Sequence, residues 1–170
     1  MEKRNVTVSA IVAAIVLIGD QLSKHWAETW LRTNGEYKIW DGVLHLRYVE
    51  NRGAAVGMEQ GGKWFFLAIT RIACAAMLYF LIKERKRLHF MMTFSIALLL
   101  SGAIGNLIDR VALGYVRDMI YVALIDFAVF NVAYMAVTVG CCLLVLDLLF
   151  FKGKKYMEMM DKKPQTGENS

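Results

Sequence analysis

Gly102-Ala103-Ile104-Gly105-Asn106-Leu107-Ile108-Asp109-Arg110, followed by Gly114-Tyr115-Val116-Arg117-Asp118, by Asp126 and by Phe130-Asn131-Val132-Ala133-Tyr134, decides how this chain is read. The stretch sets Asn106, Asp109, Arg110, Asp118, Asp126 and Asn131 at the edges of two long apolar runs, 88–108 and 127–151. A charge there is expensive unless it is paired or serves a site. Grouped as they are, these residues predict a site built at the edge of a membrane.

The wider composition agrees. With 170 residues, 57% of them hydrophobic, and a mean hydropathy of +0.41, the chain is too apolar for an ordinary soluble domain and too short for several. The formal charge of +5 does not imply nucleic acid, because the basic residues flank apolar runs and form no soluble basic face; membrane topology accounts for them. Cys74, Cys141 and Cys142 lie inside apolar segments without ligand spacing, and His25, His45 and His89 are scattered. Neither a disulfide framework nor a metal site is expected, and no cofactor is predicted.

From the amino terminus, Lys3 and Arg4 precede an apolar run, Val6 to Gly19, which spans a bilayer only if its helix continues through Leu22 and Trp26 toward Trp30. No small-residue cleavage site follows it, so it reads as a retained helix. Asp20 and Lys24 stand four apart on one face of that helix. An interfacial ion pair is the simple reading, but their depth in the span argues that they point into the protein. The glycine-rich segment 31–63 is an outer loop; within it Val43 to Glu50 alternates with period two, as a short strand or hairpin does. Asn51-Arg52-Gly53-Ala54-Ala55-Val56-Gly57 then makes a small-residue turn that a ligand can approach closely. Trp26, Trp30, Trp40 and Trp64 suit a membrane interface.

A second span is expected over 64–82, with Arg71 near its middle, where a charge costs roughly 2.5 to 3.5 kcal/mol and must snorkel, pair or line a cavity. Lys83-Glu84-Arg85-Lys86-Arg87 is the strongest cytoplasmic marker. It places both termini inside and the 31–63 loop outside. The remaining spans are read at 88–108 and 127–151, with Asp147 near the inner interface. Residues 1–155 form one membrane domain and 156–170 a disordered tail. The topology brings Asp20 and Lys24, then Asn106 to Arg110, then Asp118 to Asn131, to one side of the membrane.

Five motifs in this order, Asp20-Gln21-Leu22-Ser23-Lys24, Asn51-Arg52-Gly53-Ala54-Ala55, Gly102 to Arg110, Gly114 to Asp118 and Phe130-Asn131-Val132-Ala133, resemble those of the lipoprotein signal peptidases (signal peptidase II), membrane aspartic peptidases of bacteria. The resemblance covers the chain up to about Phe151. It implies a mainly α integral membrane protein with four transmembrane helices and a small extracytoplasmic β-cradle. It also implies an activity, removal of signal peptides from diacylglyceryl-modified prolipoproteins at the bacterial cytoplasmic membrane, with membrane lipid as a further partner and a monomeric state. The family uses two aspartates, the first matched by Asp118. Where its second motif reads Phe-Asn-x-Ala-Asp, this chain has Tyr134, and it has Ala128 where proline is common and Arg117 beside Asp118. The other motif residues, Asp20, Lys24, Asn51, Arg52, Gly53, Asn106, Asp109, Arg110 and Asn131, are implied in substrate binding or support of the site.

An aspartic pair works because one carboxylate takes a proton from water while the other, protonated, donates to the scissile carbonyl. A phenol can donate but is a poor base near neutrality. On one continuous helix, Asp126 would lie about 12 Å along the axis from Tyr134, so only a looped segment near Phe127 makes it a substitute carboxylate. Three functions therefore follow: a peptidase in which Asp118 works with Tyr134 or Asp126; a catalytically deficient relative that binds lipoprotein or lipid; and, least favoured, a small transporter using Asp118 or Arg71, which would need polar residues through the membrane depth.

Overall fold

The computed structural model describes residues 2–53 and 61–161, with the side chains of 2–4, 61–66, 154 and 158–161 outside that description. Helix α1, Glu2–Trp26, carries the first apolar run past Asp20 and Lys24, and passes without a break into a π-helical turn, Ala27–Leu31, and a last turn, α2, Arg32–Asn34. It ends where Gly35 takes φ +81°, a left-handed conformation that glycine adopts without a Cβ penalty. Helices α3 (Gly61–Glu84), α4 (Phe90–Ala112), α5 (Val132–Phe150) and α6 (Lys152–Asp161) follow. Among the described residues three helical runs are long and apolar enough to cross a membrane: 5–34, α4 and α5. The expected span 64–82 lies within α3, on which Arg71 is exposed. The Trp64 side chain, Ala54 to Gly57 of the expected turn, and residues 162–170 of the tail lie outside the described residues.

Helix α4 is the central post, packed against α1 on one side and α5 on the other. Its glycines set the spacing. A Cβ on Gly102 would meet the Ala133 carbonyl oxygen at 2.4 Å, and one on Gly105 would meet Asp20 Oδ2 at 2.6 Å, so only hydrogen at these positions lets the helices come this close. At the opposite end His89 Nε2 contacts Asp147 Oδ1 at 2.7 Å, joining the start of α4 to the end of α5.

Three antiparallel strands cap the end of the bundle that holds the polar motifs, in the order β1 (Tyr37–Trp40), β2 (Leu44–Asn51), β3 (Val116–Val122). The alternating segment read at 43–50 is β2. Strand β3 was not legible, because Val116 to Met119 are all buried and alternation marks a strand only where one face meets solvent. The sheet rests on the π turn, whose Ala27 and Leu31 bury against Met119. After β3 the chain makes a 3-10 turn, Ala123–Ile125, reverses at Asp126 (φ +47°) and returns along β3. Phe130 N–H donates to the Ile120 carbonyl at 2.9 Å and Ile120 N–H to the Phe130 carbonyl at 2.8 Å. Residues 127–131 are therefore looped, and the last long helix begins only at Val132.

The tail differs from the disorder expected over 156–170, because α6 continues from Lys152 to Asp161. There α6 buries Tyr156 in the cluster of Leu88, Met92, Ile96 and Leu100, its ring edge-on to Phe80 at 6.3 Å. One aromatic side chain in a segment rich in charged residues supplies the apolar contact that composition alone concealed.

Candidate active site

Asp118 lies on β3 and is 3% exposed. Two amides hold its carboxylate: Asn131 Nδ2 donates to Oδ1 at 2.6 Å and Asn51 Nδ2 donates to Oδ2 at 2.9 Å. Register explains the second contact. Asn51 pairs with Val116 across the ladder, which makes Asp118, two residues on, its diagonal neighbour on the same face. The return of residues 127–131 along β3 explains the first. Each amide is itself oriented by its own oxygen: Asn131 Oδ1 accepts Tyr134 N–H at 2.8 Å as the N-cap of α5, and Asn51 Oδ1 accepts Gly53 N–H at 2.9 Å. The bonds to the oxygens fix both nitrogens as the groups facing Asp118.

Behind this pair lies a buried ion network. Lys24 Nζ is 2.7 Å from Asp20 Oδ2 and 3.5 Å from Asp109 Oδ2, with all three side chains inaccessible. Lys24 donates to Asn106 Oδ1 at 2.9 Å, and the same oxygen accepts from Asn131 Nδ2 at 3.1 Å. The network thus reaches Asp118 through two amides. Asp20 Oδ1 accepts Ala133 N–H at 2.8 Å, placing a carboxylate on the positive end of α5.

Arg117 completes it. Its guanidinium meets Asp109 Oδ1 at 2.8 Å, Glu28 Oε2 at 2.9 Å and Gln21 Oε1 at 3.2 Å. The sequence offered Arg117 only as a departure and gave Glu28 and Gln21 no role. The spacing of Asp20, Lys24 and Glu28, four residues apart along one helical path, was the signal that could have found Glu28. Asp109 is turned toward Arg117 and Lys24, while its neighbour Arg110 points the other way and lines the cavity with Asp118.

That cavity, of about 300 Å³, is bounded by Asn51, Asn106, Arg110, Asp118, Asn131 and Tyr134, with residues 127–130 as its apolar rim. Tyr134 stands in the first turn of α5, 46% exposed, its ring 5.8 Å from that of Phe130. Asp126 does not join. Its Oδ1 accepts the Tyr121 hydroxyl at 2.6 Å, and Tyr121, three residues along β3 from Asp118, points to the other face of the sheet. The segment is looped, as a substitute carboxylate requires, but the loop delivers Asp126 elsewhere. Arg52 stays at the rim, paired with Glu50 at 2.9 Å and 5.6 Å over the Tyr115 ring; Gly53, at φ +73°, makes the turn that orients Asn51.

Burial pushes the Asp118 carboxyl above the usual carboxylate range, against the opposing pull of the Asn51 and Asn131 amides and of the Lys24 and Arg110 charges. The arrangement can hold water against one carboxyl group, with the Tyr134 side chain lining the same space.

The family model described as Signal peptidase (SPase) II matches residues 12–150. The lipoprotein signal peptidase of Streptococcus thermophilus (strain CNRZ 1066) is 44% identical over 142 residues, which is 83% of this chain and 92% of that one. The lipoprotein signal peptidase of Clostridioides difficile (strain 630) is 43% identical over 145 residues, 85% of this chain and 97% of that one. Among solved structures, a bacterial membrane enzyme at 34% identity superposes with a TM-score of 0.78, covering 85% of this chain and 94% of its own, and another at 33% identity gives 0.75 with 95% of each covered.

Proposed function

The chain belongs to the signal peptidase II family, and on that premise we propose that it is a membrane-embedded endopeptidase that removes signal peptides from diacylglyceryl-modified prolipoproteins. The observation that carries this reading is Asp118, a carboxyl group held by two oriented amides at the wall of a cavity. In the reaction Asp118, ionised, takes the proton from a water as that water attacks the scissile carbonyl. The Tyr134 hydroxyl donates a hydrogen bond to the oxygen on which negative charge develops, where a single donor is worth on the order of 10²- to 10³-fold in rate. Asp118 then returns the proton to the leaving amine.

The buried Asp20, Lys24, Asp109 and Arg117 hold the scaffold, and Asn51, Asn106, Arg110 and Asn131 shape the cavity. The basic run Lys83 to Arg87 supports cytoplasmic termini and a site on the extracytoplasmic side, with α3 as the fourth span. Lipid surrounds the spans, and Asp118, its two amides and Tyr134 come from one copy of the chain, which supports a monomeric enzyme.

The test uses the full chain in lipid nanodiscs with a diacylglyceryl-modified prolipoprotein, cleavage being followed by gel mobility. Cleavage is expected, with loss in Asp118→Asn and a fall of roughly 10²- to 10³-fold in Tyr134→Phe. No cleavage by the present sequence, together with cleavage gained by Tyr134→Asp, would overturn the proposal.

A further inference from the structure

A second cavity lies at the other end of the bundle, away from Asp118. It encloses about 480 Å³ between α1, α3 and α4, within the size range of small-molecule sites. On α1 its wall runs from Val6 to Leu17, a rise of about 16 Å, roughly half of the ~30 Å hydrocarbon thickness and so the depth of one leaflet. The deep part, at Leu17, Leu100 and Ile104, is apolar. Ala10, Ala13 and Ala14 keep it open on the α1 side.

Its polarity is graded. Arg85, exposed and in no ion pair among the described residues, lines the mouth beside the basic loop. Glu84, beside it in sequence, is paired with Arg87. One level deeper Ser9 is 2% exposed and its hydroxyl has no hydrogen-bond partner among the described residues. The other hydroxyls of the wall are satisfied within α4, Thr93 on the His89 carbonyl and Ser101 on that of Leu98. A buried donor left unpaired is unfavourable, so an occupant that supplies an acceptor at Ser9 is favoured.

We propose that this cavity is a binding site for one anionic glycerophospholipid from the leaflet on the side of the basic loop. Its phosphate pairs with Arg85, an ester carbonyl accepts from Ser9 Oγ, and one acyl chain fills the groove down to Leu17 and Ile104. Cation, donor and apolar channel follow one another in the order in which a glycerophospholipid presents phosphate, ester and chain. The site is separate from the Asp118 cavity, and its occupancy is read without any substrate.

Native mass spectrometry of the full chain, released from nanodiscs holding equal phosphatidylglycerol and phosphatidylcholine, tests it. One phosphatidylglycerol per chain is expected, retained about tenfold over phosphatidylcholine. Arg85→Gln should erase that preference, Ser9→Ala should weaken retention about fivefold, and Ala14→Phe, an exposed position on the groove wall, should remove it while circular dichroism stays unchanged. Equal retention of the two lipids by the unaltered chain, or undiminished retention in Ala14→Phe, would overturn the proposal.

Discussion

Asn131 donates its side-chain amide to Asp118 at 2.6 Å while its side-chain oxygen caps the helix that carries Tyr134, accepting the Tyr134 N–H at 2.8 Å. With Asn51 oriented in the same way, position 118 faces two nitrogens that cannot turn. An amide there would present its own N–H to one of them. Asp118→Asn is therefore expected to abolish cleavage and also to lower the unfolding temperature at neutral pH, even though it removes a buried charge, because an unpaired buried N–H costs about 1–3 kcal/mol. Thermal unfolding in detergent decides it; a variant more stable than the parent would show that the amides reorient.

Removing the bridge acts on both of its ends. Asn131→Ala takes away the N-cap of α5, at a cost of about 1 kcal/mol, and takes from Asp118 a hydrogen bond that favours its charged form. Stability should fall, and the acidic limb of the cleavage profile should move to higher pH. A fall in stability with an unmoved limb would mean that Asn131 only caps the helix.

Spans and site divide differently in what the sequence discloses. The apolar runs and the family motifs set out the helices and the neighbourhood of Asp118, because hydropathy and local spacing are properties of the chain itself. The partners of Arg117 were hidden, since Glu28 and Asp109 meet it only after the π turn, α4 and β3 pack together. The destination of Asp126 was hidden for another reason. Its left-handed turn (φ +47°) decides which face of β3 it reaches, and an aspartate tolerates that conformation without announcing it.

Acidity should move activity and stability in opposite directions. Burial raises the Asp118 carboxyl, so folding favours its protonated form: the stability it contributes is full below the ordinary carboxylate range and is lost as pH rises through the raised value. Cleavage needs the ionised base and should climb over that same interval. One ionisation on the acidic side is expected for the present chain, whereas Tyr134→Asp should show the two coupled steps of a carboxylate pair. A second acidic ionisation in the unaltered chain would mean that another carboxylate takes part.

The seating of α6 predicts a long-range effect from a residue that looks like part of a loose tail. Tyr156 is 5% exposed against the cluster of Leu88, Met92, Ile96 and Leu100, so Tyr156→Ala should cost about 3 kcal/mol in the unfolding of the bundle. Tyr156→Phe keeps the ring and its apolar contacts and should be close to neutral. Chemical unfolding in mixed micelles separates the two; equal stability of the alanine variant and the parent would mean that α6 adds nothing to the bundle.

Arg117 is the most demanding test of the scaffold. Its partner Asp109 is inaccessible, and Lys24 at 3.5 Å already serves Asp20 at 2.7 Å. Arg117→Met would leave Asp109 with one shared cation and Glu28 with none at this contact. Breaking a buried pair from one side typically costs about 3–5 kcal/mol, and the loss should appear as a large drop in unfolding temperature. The pair also anchors β3, because Asp109 Oδ2 accepts the backbone N–H of Arg117 at 2.9 Å. In Arg117→Met that backbone bond survives, so Asp118 should keep its place and any folded fraction should keep its cleavage rate per folded molecule. In Asp109→Ala both links go, and cleavage should fall with stability. Rates normalised to the folded fraction distinguish the two variants, and equal normalised losses would show that the guanidinium, not the backbone bond, holds Asp118 in position.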